Sequence, residues 1–150
     1  MAVSFAVASG SGRSGVPDCA APSDPVGRDT ILLVEDNEIV ALLLMQVLKR
    51  IHWRVLRAGD GAEGERMLVE HGPAIALALV DCGLPDADGA DLCQRLRLVR
   101  PGLPVLLTSG REQSELAQAL AADGPAAFLA KPFLTCEVTR QVQNLVAHAA

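Results

Sequence analysis

From Thr30 onward, short apolar runs alternate with longer amphipathic segments. The short runs have the length of strands, and the longer segments have the apolar spacing of helices that bury one face. We predict five strands, at residues 31–34, 53–56, 75–80, 105–109 and 126–130. Strands that alternate with helices are typical of repeated βα units. The chain is therefore predicted to form an α/β domain with an open, doubly wound parallel sheet.

The segments between the strands carry helix start signals. Asn37 precedes the helix predicted at 38–51, and Asp60 with Glu63 three residues later resembles a capping box. Asp88 is placed to cap a third helix, and two further helices are predicted at 112–122 and 135–147. The helical spacing predicts two buried stripes, formed by Leu92, Cys93, Leu96 and Val99 in the third helix and by Val138, Val142 and Leu145 in the last.

The N-terminal segment differs in composition from the rest. Residues 1–28 consist mostly of Ala, Ser, Gly, Val and Pro, with three prolines in the second half. This composition is typical of a flexible tail or linker. We predict a tail at 1–28 and one domain at 29–150.

Charge and hydropathy exclude several classes of protein. The net charge of −5 disfavours a nucleic-acid binder that relies on a basic surface. No apolar run approaches the roughly 20 residues of a membrane-spanning helix, and no export signal is evident. The four cysteines are too scattered for a zinc site or a disulfide framework. We expect a cytoplasmic protein with reduced thiols that binds neither nucleic acid nor membrane.

Polar residues stand where four of the predicted strands end. They are Glu35 and Asp36, then Asp81, Ser109 and Lys131. The carboxyl ends of parallel strands share one edge of the sheet, so we expect these groups to converge there. Three carboxylates repel one another unless a hard cation intervenes, and Mg²⁺ with a phosphoryl group fits this set. Taken singly, each residue is also compatible with a helix cap, a turn or an exposed side chain.

Four short motifs contain the polar residues at the strand ends. They are residues 33–37 (LVEDN), 80–89 (VDCGLPDADG), 104–110 (PVLLTSG) and 128–133 (FLAKPF). Together they resemble the motifs of the receiver domain of two-component response regulators. The resemblance extends from about Thr30 to Ala147. It implies a flavodoxin-like fold with strand order 2-1-3-4-5 and five helices.

The resemblance also implies a phosphoacceptor and a Mg²⁺ site. Asp81 matches the phosphoacceptor, Asp36 a direct metal ligand, and Glu35 a residue that acts on the metal through water. The backbone carbonyl of Gly83 matches the third protein ligand. Two positions depart from the common pattern. Glu35 replaces the more frequent aspartate, and Gly83 leaves the position two after Asp81 without a side chain.

A second group of matched positions concerns switching. Lys131 matches the lysine that contacts the phosphoryl group, and Ser109, rather than Thr108, has the spacing of the switch hydroxyl. Phe128 matches the aromatic residue whose rotamer reports the state of the domain. The bond between Lys131 and Pro132 is expected to be cis, as in the family.

The first predicted helix is more apolar than one core-facing stripe requires. Residues 39–45 run almost without a polar break, so part of this surface should be exposed. The alternative is a helix buried on two sides. The resemblance implies a docking face for a phosphohistidine helix, formed by Glu38, Val40, Leu43, Pro132 and Phe133.

The resulting hypothesis is a phosphoacceptor that takes a phosphoryl group from a histidine kinase or a histidine phosphotransfer protein. It would signal to a downstream protein by contact, and its catalysis would be limited to its own phosphotransfer and slow dephosphorylation. Two alternatives stay open: a receiver-like scaffold that is not phosphorylated, and an enzyme with a similar sheet. Gly83 disfavours an aspartate-nucleophile phosphatase, and the acidic residues at 35–36 disfavour a flavin protein.

Overall fold

Five parallel strands form one sheet in the order β2-β1-β3-β4-β5, with helices between successive strands. The structure is a computed structural model, and it describes residues 28–110 and 114–149. The elements are β1 (Thr30–Val34), α1 (Glu38–Arg50), β2 (Arg54–Ala58), α2 (Gly61–His71), a 3₁₀ turn (Gly72–Ala74), β3 (Ile75–Asp81), α3 (Gly89–Val99), β4 (Val105–Ser109), α4 (Ser114–Ala121), β5 (Ala126–Ala130) and α5 (Thr135–Ala149). The predicted fold class, strand order and helix count are confirmed.

Two sequence predictions fall on residues outside the described ranges. These are the tail, apart from Arg28, and the beginning of the fourth helix at Glu112. Within the described ranges, no helix is both long enough and apolar enough to cross a bilayer.

The sheet is covered on both faces, which explains the apolar character of its central strands. All seven residues of β3 are buried, as are all five of β1 and of β4. One face of the sheet packs against α2, α3 and α4, and the other packs against α1 and α5. The edge strands β2 and β5 are only partly buried. The central strands are thereby held rigid, and the functional side chains follow at their carboxyl ends.

The prediction that Val99 of α3 is buried is wrong. Val99 is 46% exposed, whereas Arg97 is buried. The Arg97 guanidinium donates hydrogen bonds to the carbonyls of Leu103 (3.0 Å), Pro125 (2.9 Å) and Leu120. A buried charge is tolerated there because backbone carbonyls from three neighbouring segments accept its protons. A pattern of apolar residues could not reveal this, since the buried position holds an arginine.

The second strand is displaced from its predicted position. It spans Arg54–Ala58 rather than 53–56, and the buried Trp53 precedes it. Arg57 and Ala58 pair in register with Leu33 and Val34 of β1. The apolar run ends at Leu56, so the apolar pattern alone did not include Arg57 in the strand.

The predicted N-caps of the first three helices are confirmed. The Asn37 side chain accepts the N–H groups of Ile39 and Val40, at 2.9 and 3.0 Å. Asp60 accepts the Glu63 N–H at 2.8 Å, and Asp88 caps α3 in the same way. These caps satisfy N–H groups that a helix cannot pair internally, and they define where each loop enters its helix.

The loop after β3 is anchored to the beginning of α2 by Asp86. Its two carboxylate oxygens accept the N–H groups of Gly61 (2.9 Å) and Ala62 (3.1 Å). These backbone hydrogen bonds, with Gly61 first, hold the pKa of Asp86 below its usual value. The far end of the loop is closely packed, because a Cβ on Gly89 would lie 2.8 Å from the Cys82 Cα. The loop that follows Asp81 is therefore restrained at both ends.

The Asp86 contacts predict a pH-dependent effect on stability. We expect Asp86→Ala to lower the midpoint of urea unfolding at pH 7, because two helix N–H groups lose their charged acceptor. The folded state favours the ionised carboxylate. The stabilisation is therefore present above the unfolded pKa of about 3.9 and is lost as the pH falls through the lower folded pKa. The difference in the midpoint of urea unfolding between Asp86→Ala and the wild type should become smaller below about pH 4.

The matched control is Asp91→Ala. Asp91 is an exposed carboxylate in the first turn of α3, and its side chain makes no hydrogen bond within the described part of the chain. An equal loss of stability in both variants would contradict the stabilising role of the Asp86 contacts. A loss of stability in Asp86→Ala that is constant from pH 7 to pH 3 would contradict it as well.

Candidate functional site

The ends of β1, β3 and β5 bring two carboxylates and one ammonium together. Glu35 follows β1, Asp81 is the last residue of β3, and Lys131 follows β5. The Lys131 Nζ lies 3.3 Å from Glu35 Oε1 and 3.2 Å from Asp81 Oδ1. These residues are 96 and 50 positions apart in the chain, so only the parallel sheet makes them neighbours.

Asp36 completes an acidic cluster with Glu35 and Asp81. One carboxylate oxygen of each residue lies within 4.8 Å of the corresponding oxygens of the other two. Glu35 and Asp81 are buried, whereas Asp36 is exposed. Three carboxylates face the single ammonium of Lys131, which leaves an excess of negative charge at this edge. Hard oxygen donors in this arrangement fit a divalent cation such as Mg²⁺, which keeps several waters when it binds proteins.

Burial and charge perturb both partners of the central ion pair. Burial raises the pKa of Glu35, and the charge of Asp81 adds to this, although the Asn37 N–H and Lys131 oppose it. Burial alone would lower the pKa of Lys131, but Glu35 and Asp81 together raise it above its ordinary value. Lys131 is therefore a permanent cation at neutral pH.

The two oxygens of the Asp81 carboxylate have different surroundings. Oδ1 accepts from the Lys131 Nζ and from the Gly83 N–H, the latter at 3.2 Å. Within the described residues, no hydrogen bond to Oδ2 is found. Gly83 itself is exposed in the loop directly after β3. The two described contacts of the Asp81 carboxylate are thus both made by Oδ1.

The two hydroxyl residues at the end of β4 differ in their positions. Thr108 pairs in register with Asp81, and its Oγ1 is buried with no hydrogen-bond partner in the described part of the chain. Ser109 is also buried and lies one residue closer to the acidic edge. Its carbonyl accepts the Lys131 N–H at 2.7 Å, which joins the ends of β4 and β5.

The aromatic residues of the last strand and its loop pack on opposite faces of the sheet. Phe128 is half-buried and packs against the apolar cluster beneath α3 and α4. Phe133 is half-buried against the cluster beneath α1 and α5. The peptide bond between Lys131 and Pro132 is cis, as expected.

Helix α1 exposes a patch of large apolar side chains. Ile39, Leu42 and Leu43 are 79%, 59% and 43% exposed. Val40 is half-buried and packs against the core cluster of its face. The expected exposure of this helix is confirmed, but Val40 contributes less to the surface than Leu42 and Leu43 do. Of the other residues expected at this face, Glu38 and Pro132 are exposed.

Arg57 contacts the acidic loop, which is the segment 35–37 between β1 and α1, and the sequence did not predict this contact. Its guanidinium donates from Nε (3.2 Å) and Nη2 (2.9 Å) to the Glu35 carbonyl, and Nη2 is 3.3 Å from the Asp36 carbonyl. The sequence did contain an indication of this contact. Arg57 is a charged residue that follows two apolar residues close to the carboxyl end of β2, at the same edge of the sheet as the acidic residues.

Comparison with known proteins identifies relatives of this chain. Residues 31–143 match the model of the response regulator receiver domain. The virulence transcriptional regulatory protein PhoP of Salmonella typhimurium (strain LT2) is 36% identical over 116 residues, which cover 77% of this chain and 51% of PhoP. The probable transcriptional regulatory protein TcrX of Mycobacterium tuberculosis is 31% identical over 117 residues, which cover 78% and 49%. The chain thus spans about half the length of these two relatives.

Solved structures give the same result. A response regulator receiver protein from Sinorhizobium medicae has a TM-score of 0.67 at 27% identity, and the match covers 81% of this chain and 96% of that one. Receiver domains act in two-component signal transduction and typically accept a phosphoryl group. The family model matches most of the chain, and the strand order and the acidic cluster of Glu35, Asp36 and Asp81 agree with it. The chain therefore belongs to the family of response regulator receiver domains.

Proposed function

We propose that Asp81 accepts a phosphoryl group from a phosphohistidine, supplied by a histidine kinase or a histidine phosphotransfer protein. The observation that carries this proposal is the position of Lys131, whose Nζ lies 3.2 Å from Asp81 Oδ1. An ammonium beside a strand-end carboxylate can hold one oxygen of an incoming phosphoryl group. A scaffold that is never phosphorylated would not need this arrangement, and we do not favour it.

The acidic cluster is the proposed Mg²⁺ site. Asp36 and Asp81 would bind the metal directly, Glu35 would act through a water molecule, and the Gly83 carbonyl would be a further ligand. When bound, Mg²⁺ would neutralise charge on the phosphoryl oxygens. The chemistry of the oxygen donors and the excess of negative charge support this assignment.

The transfer step uses groups of this chain. Asp81 Oδ2 supplies an electron pair to phosphorus, and a carboxyl oxygen–phosphorus bond forms. The bond between phosphorus and the imidazole nitrogen of the donor breaks, and its electron pair returns to that nitrogen. Lys131 contacts Oδ1 before the transfer, would hold a phosphoryl oxygen after it, and remains charged throughout. The product is an acyl phosphate on the protein itself, so the catalytic contribution is limited to this transfer and to slow hydrolysis of the product.

Ser109 and Phe128 are the proposed switch residues. Ser109 lies at the acidic edge, where its hydroxyl would contact a phosphoryl oxygen on Asp81. A movement of Ser109 would open space into which Phe128 turns. Phe128 is half-buried at the packed face of the sheet, so a new rotamer would alter the adjoining surface. A shift of this kind can bias a two-state surface by about 1–3 kcal/mol.

The proposed docking face for the phosphohistidine protein is formed by Glu38, Val40, Leu43, Pro132 and Phe133. On α1 the exposed side chains of Ile39 and Leu42 extend it. This part of the face follows the Asn37 cap directly, and it is therefore adjacent to the acidic loop. Apolar groups ringed by polar residues are typical of an interface.

Output would go to a downstream protein by contact, without nucleic acid. The described cysteines Cys82, Cys93 and Cys136 are free thiols, which supports a cytoplasmic location.

Labelling with acetyl phosphate tests the phosphoacceptor. We expect intact-mass measurement to show one phosphoryl group on the wild type in the presence of Mg²⁺ and none on Asp81→Asn. Asp36→Ala should require at least about tenfold more Mg²⁺ for the same labelling, because a direct ligand is lost. Asp91→Asn, which removes an exposed carboxylate outside the cluster, is the control and should be labelled normally. Labelling of Asp81→Asn to the level of the wild type would refute the proposal.

The switch predicts that Ser109→Ala separates phosphorylation from its structural response. We expect this variant to be labelled on Asp81, while the NMR signals of the Phe128 ring no longer shift on labelling. Thr108→Val is the matched control, since it removes the neighbouring hydroxyl and retains the shape of the side chain. If the Phe128 signals still shift on labelling in Ser109→Ala, Ser109 is not the switch residue. If they fail to shift only in Thr108→Val, the switch hydroxyl is that of Thr108.

The docking face predicts that Leu43→Asp impairs transfer from a protein donor alone. With a phosphorylated histidine phosphotransfer protein that labels the wild type, we expect a decrease in rate of at least about tenfold, the effect of losing a buried interface contact. Labelling by acetyl phosphate and thermal stability should not change. Leu98→Asp introduces the same change at a leucine of α3 that is 83% exposed, and it should transfer normally. A large loss of stability in Leu43→Asp would show that Leu43 belongs to the core.

A further inference from the structure

We propose that Arg57 is a positioning residue that directs the Asp36 carboxylate toward the metal site. The inference rests on the proposed role of Asp36 as a metal ligand. It assigns to a residue of the edge strand β2 a function in a site formed by other strands.

The contacts of Arg57 hold the two peptide planes that flank Asp36. The Glu35 carbonyl belongs to the peptide bond before Asp36, and it accepts from Nε at 3.2 Å and from Nη2 at 2.9 Å. The Asp36 carbonyl belongs to the peptide bond after it, and it lies 3.3 Å from Nη2. When both planes are held, the direction of the Asp36 Cα–Cβ bond is set by the backbone.

The Asp36 side chain has no other support. It is exposed, and within the described part of the chain its carboxylate makes neither a hydrogen bond nor an ion pair. Glu35 differs, because its carboxylate is buried and is held by Lys131 and the Asn37 N–H. The position of the Asp36 carboxylate therefore depends on the conformation of the loop, and Arg57 is the side chain that contacts both carbonyls at this point.

Arg57 is itself held by the pairing of β2 with β1. Its Cα pairs in register with Leu33, and the next residue, Ala58, accepts the Glu35 N–H through its carbonyl at 3.0 Å. Arg57 as a whole residue is half-buried. A planar guanidinium presents several donors in a fixed geometry, so it can bind two carbonyls at once. A lysine ammonium is a compact charge on a flexible stem and would hold them less well.

The experiment compares Arg57→Met and Arg57→Lys with Arg54→Met. Arg54 lies on the same strand and carries the same charge, but its contact is an exposed ion pair with Asp29 at 3.3 Å, remote from the acidic loop. The first measurement is the dissociation constant of Mg²⁺ for the unphosphorylated chain, determined by calorimetry. The second is hydrogen exchange of the Asp36 and Asn37 amides without metal, and the third is thermal stability.

We expect Arg57→Met to bind Mg²⁺ about 10-fold more weakly, which is the lower end of the effect for residues that orient metal ligands. Amide exchange at Asp36 and Asn37 should accelerate even without metal. Arg57→Lys should be intermediate, and Arg54→Met should match the wild type. If Arg57→Met is poorly folded, the Mg²⁺ affinity of a folded Arg57→Lys decides the question.

The proposal is overturned if folded Arg57 variants bind Mg²⁺ as the wild type does, or if Arg54→Met weakens binding equally. A loss of thermal stability without a change in Mg²⁺ affinity would overturn it as well, because Arg57 would then have only a structural role. Failure of the proposed function is distinguishable, since the wild type itself would then bind no Mg²⁺ or Asp36→Ala would bind it normally.

Discussion

The ammonium of Lys131 lies between two buried carboxylates, and the acidic edge of the sheet depends on it. Glu35 and Asp81 are almost completely removed from water, and two adjacent carboxylates in that environment repel each other. Lys131 compensates both at once, at 3.3 and 3.2 Å, and its own side chain is 26% exposed. Without such a cation, the pKa of Glu35 would be raised further, because Lys131 opposes the effect of burial on this carboxylate. The ion pair therefore offsets the repulsion between the buried carboxylates of Glu35 and Asp81.

This arrangement requires precise loops, and each loop is held by hydrogen bonds to another element. Arg57 of β2 binds the carbonyls of the loop that carries Asp36. Asp86 binds the first N–H groups of α2 and so restrains the loop after Asp81. The N–H of Lys131 is bonded to the carbonyl of Ser109. The rigid central strands and these three links hold the site in one geometry, as binding and phosphoryl transfer require.

Several structural features follow directly from local patterns in the chain. The buried strands β1, β3 and β4 appear as short apolar runs, because both faces of a central parallel strand are covered. The caps at Asn37, Asp60 and Asp88 are recognisable because a side chain that accepts helix N–H groups acts within three residues of its own position. The edge strand β2 was displaced in the prediction, since its partly exposed residues follow no clear apolar pattern. Arg97 was missed because its burial depends on the nearby Leu103 carbonyl and on two carbonyls more than 20 positions away, those of Leu120 and Pro125.

The sequence by itself determined the order of strands and helices, the residues available at the strand ends and, through its motifs, the family. These properties are encoded locally or in short spacings, and they could be identified without coordinates. Only the tertiary structure decided that Lys131 contacts both Glu35 and Asp81, that Asp86 restrains the loop after β3, and that Arg57 holds the carbonyls beside Asp36. Each of these contacts joins residues at least 20 positions apart. Their distances depend on how the parallel strands align and how the helices pack, which no local pattern specifies.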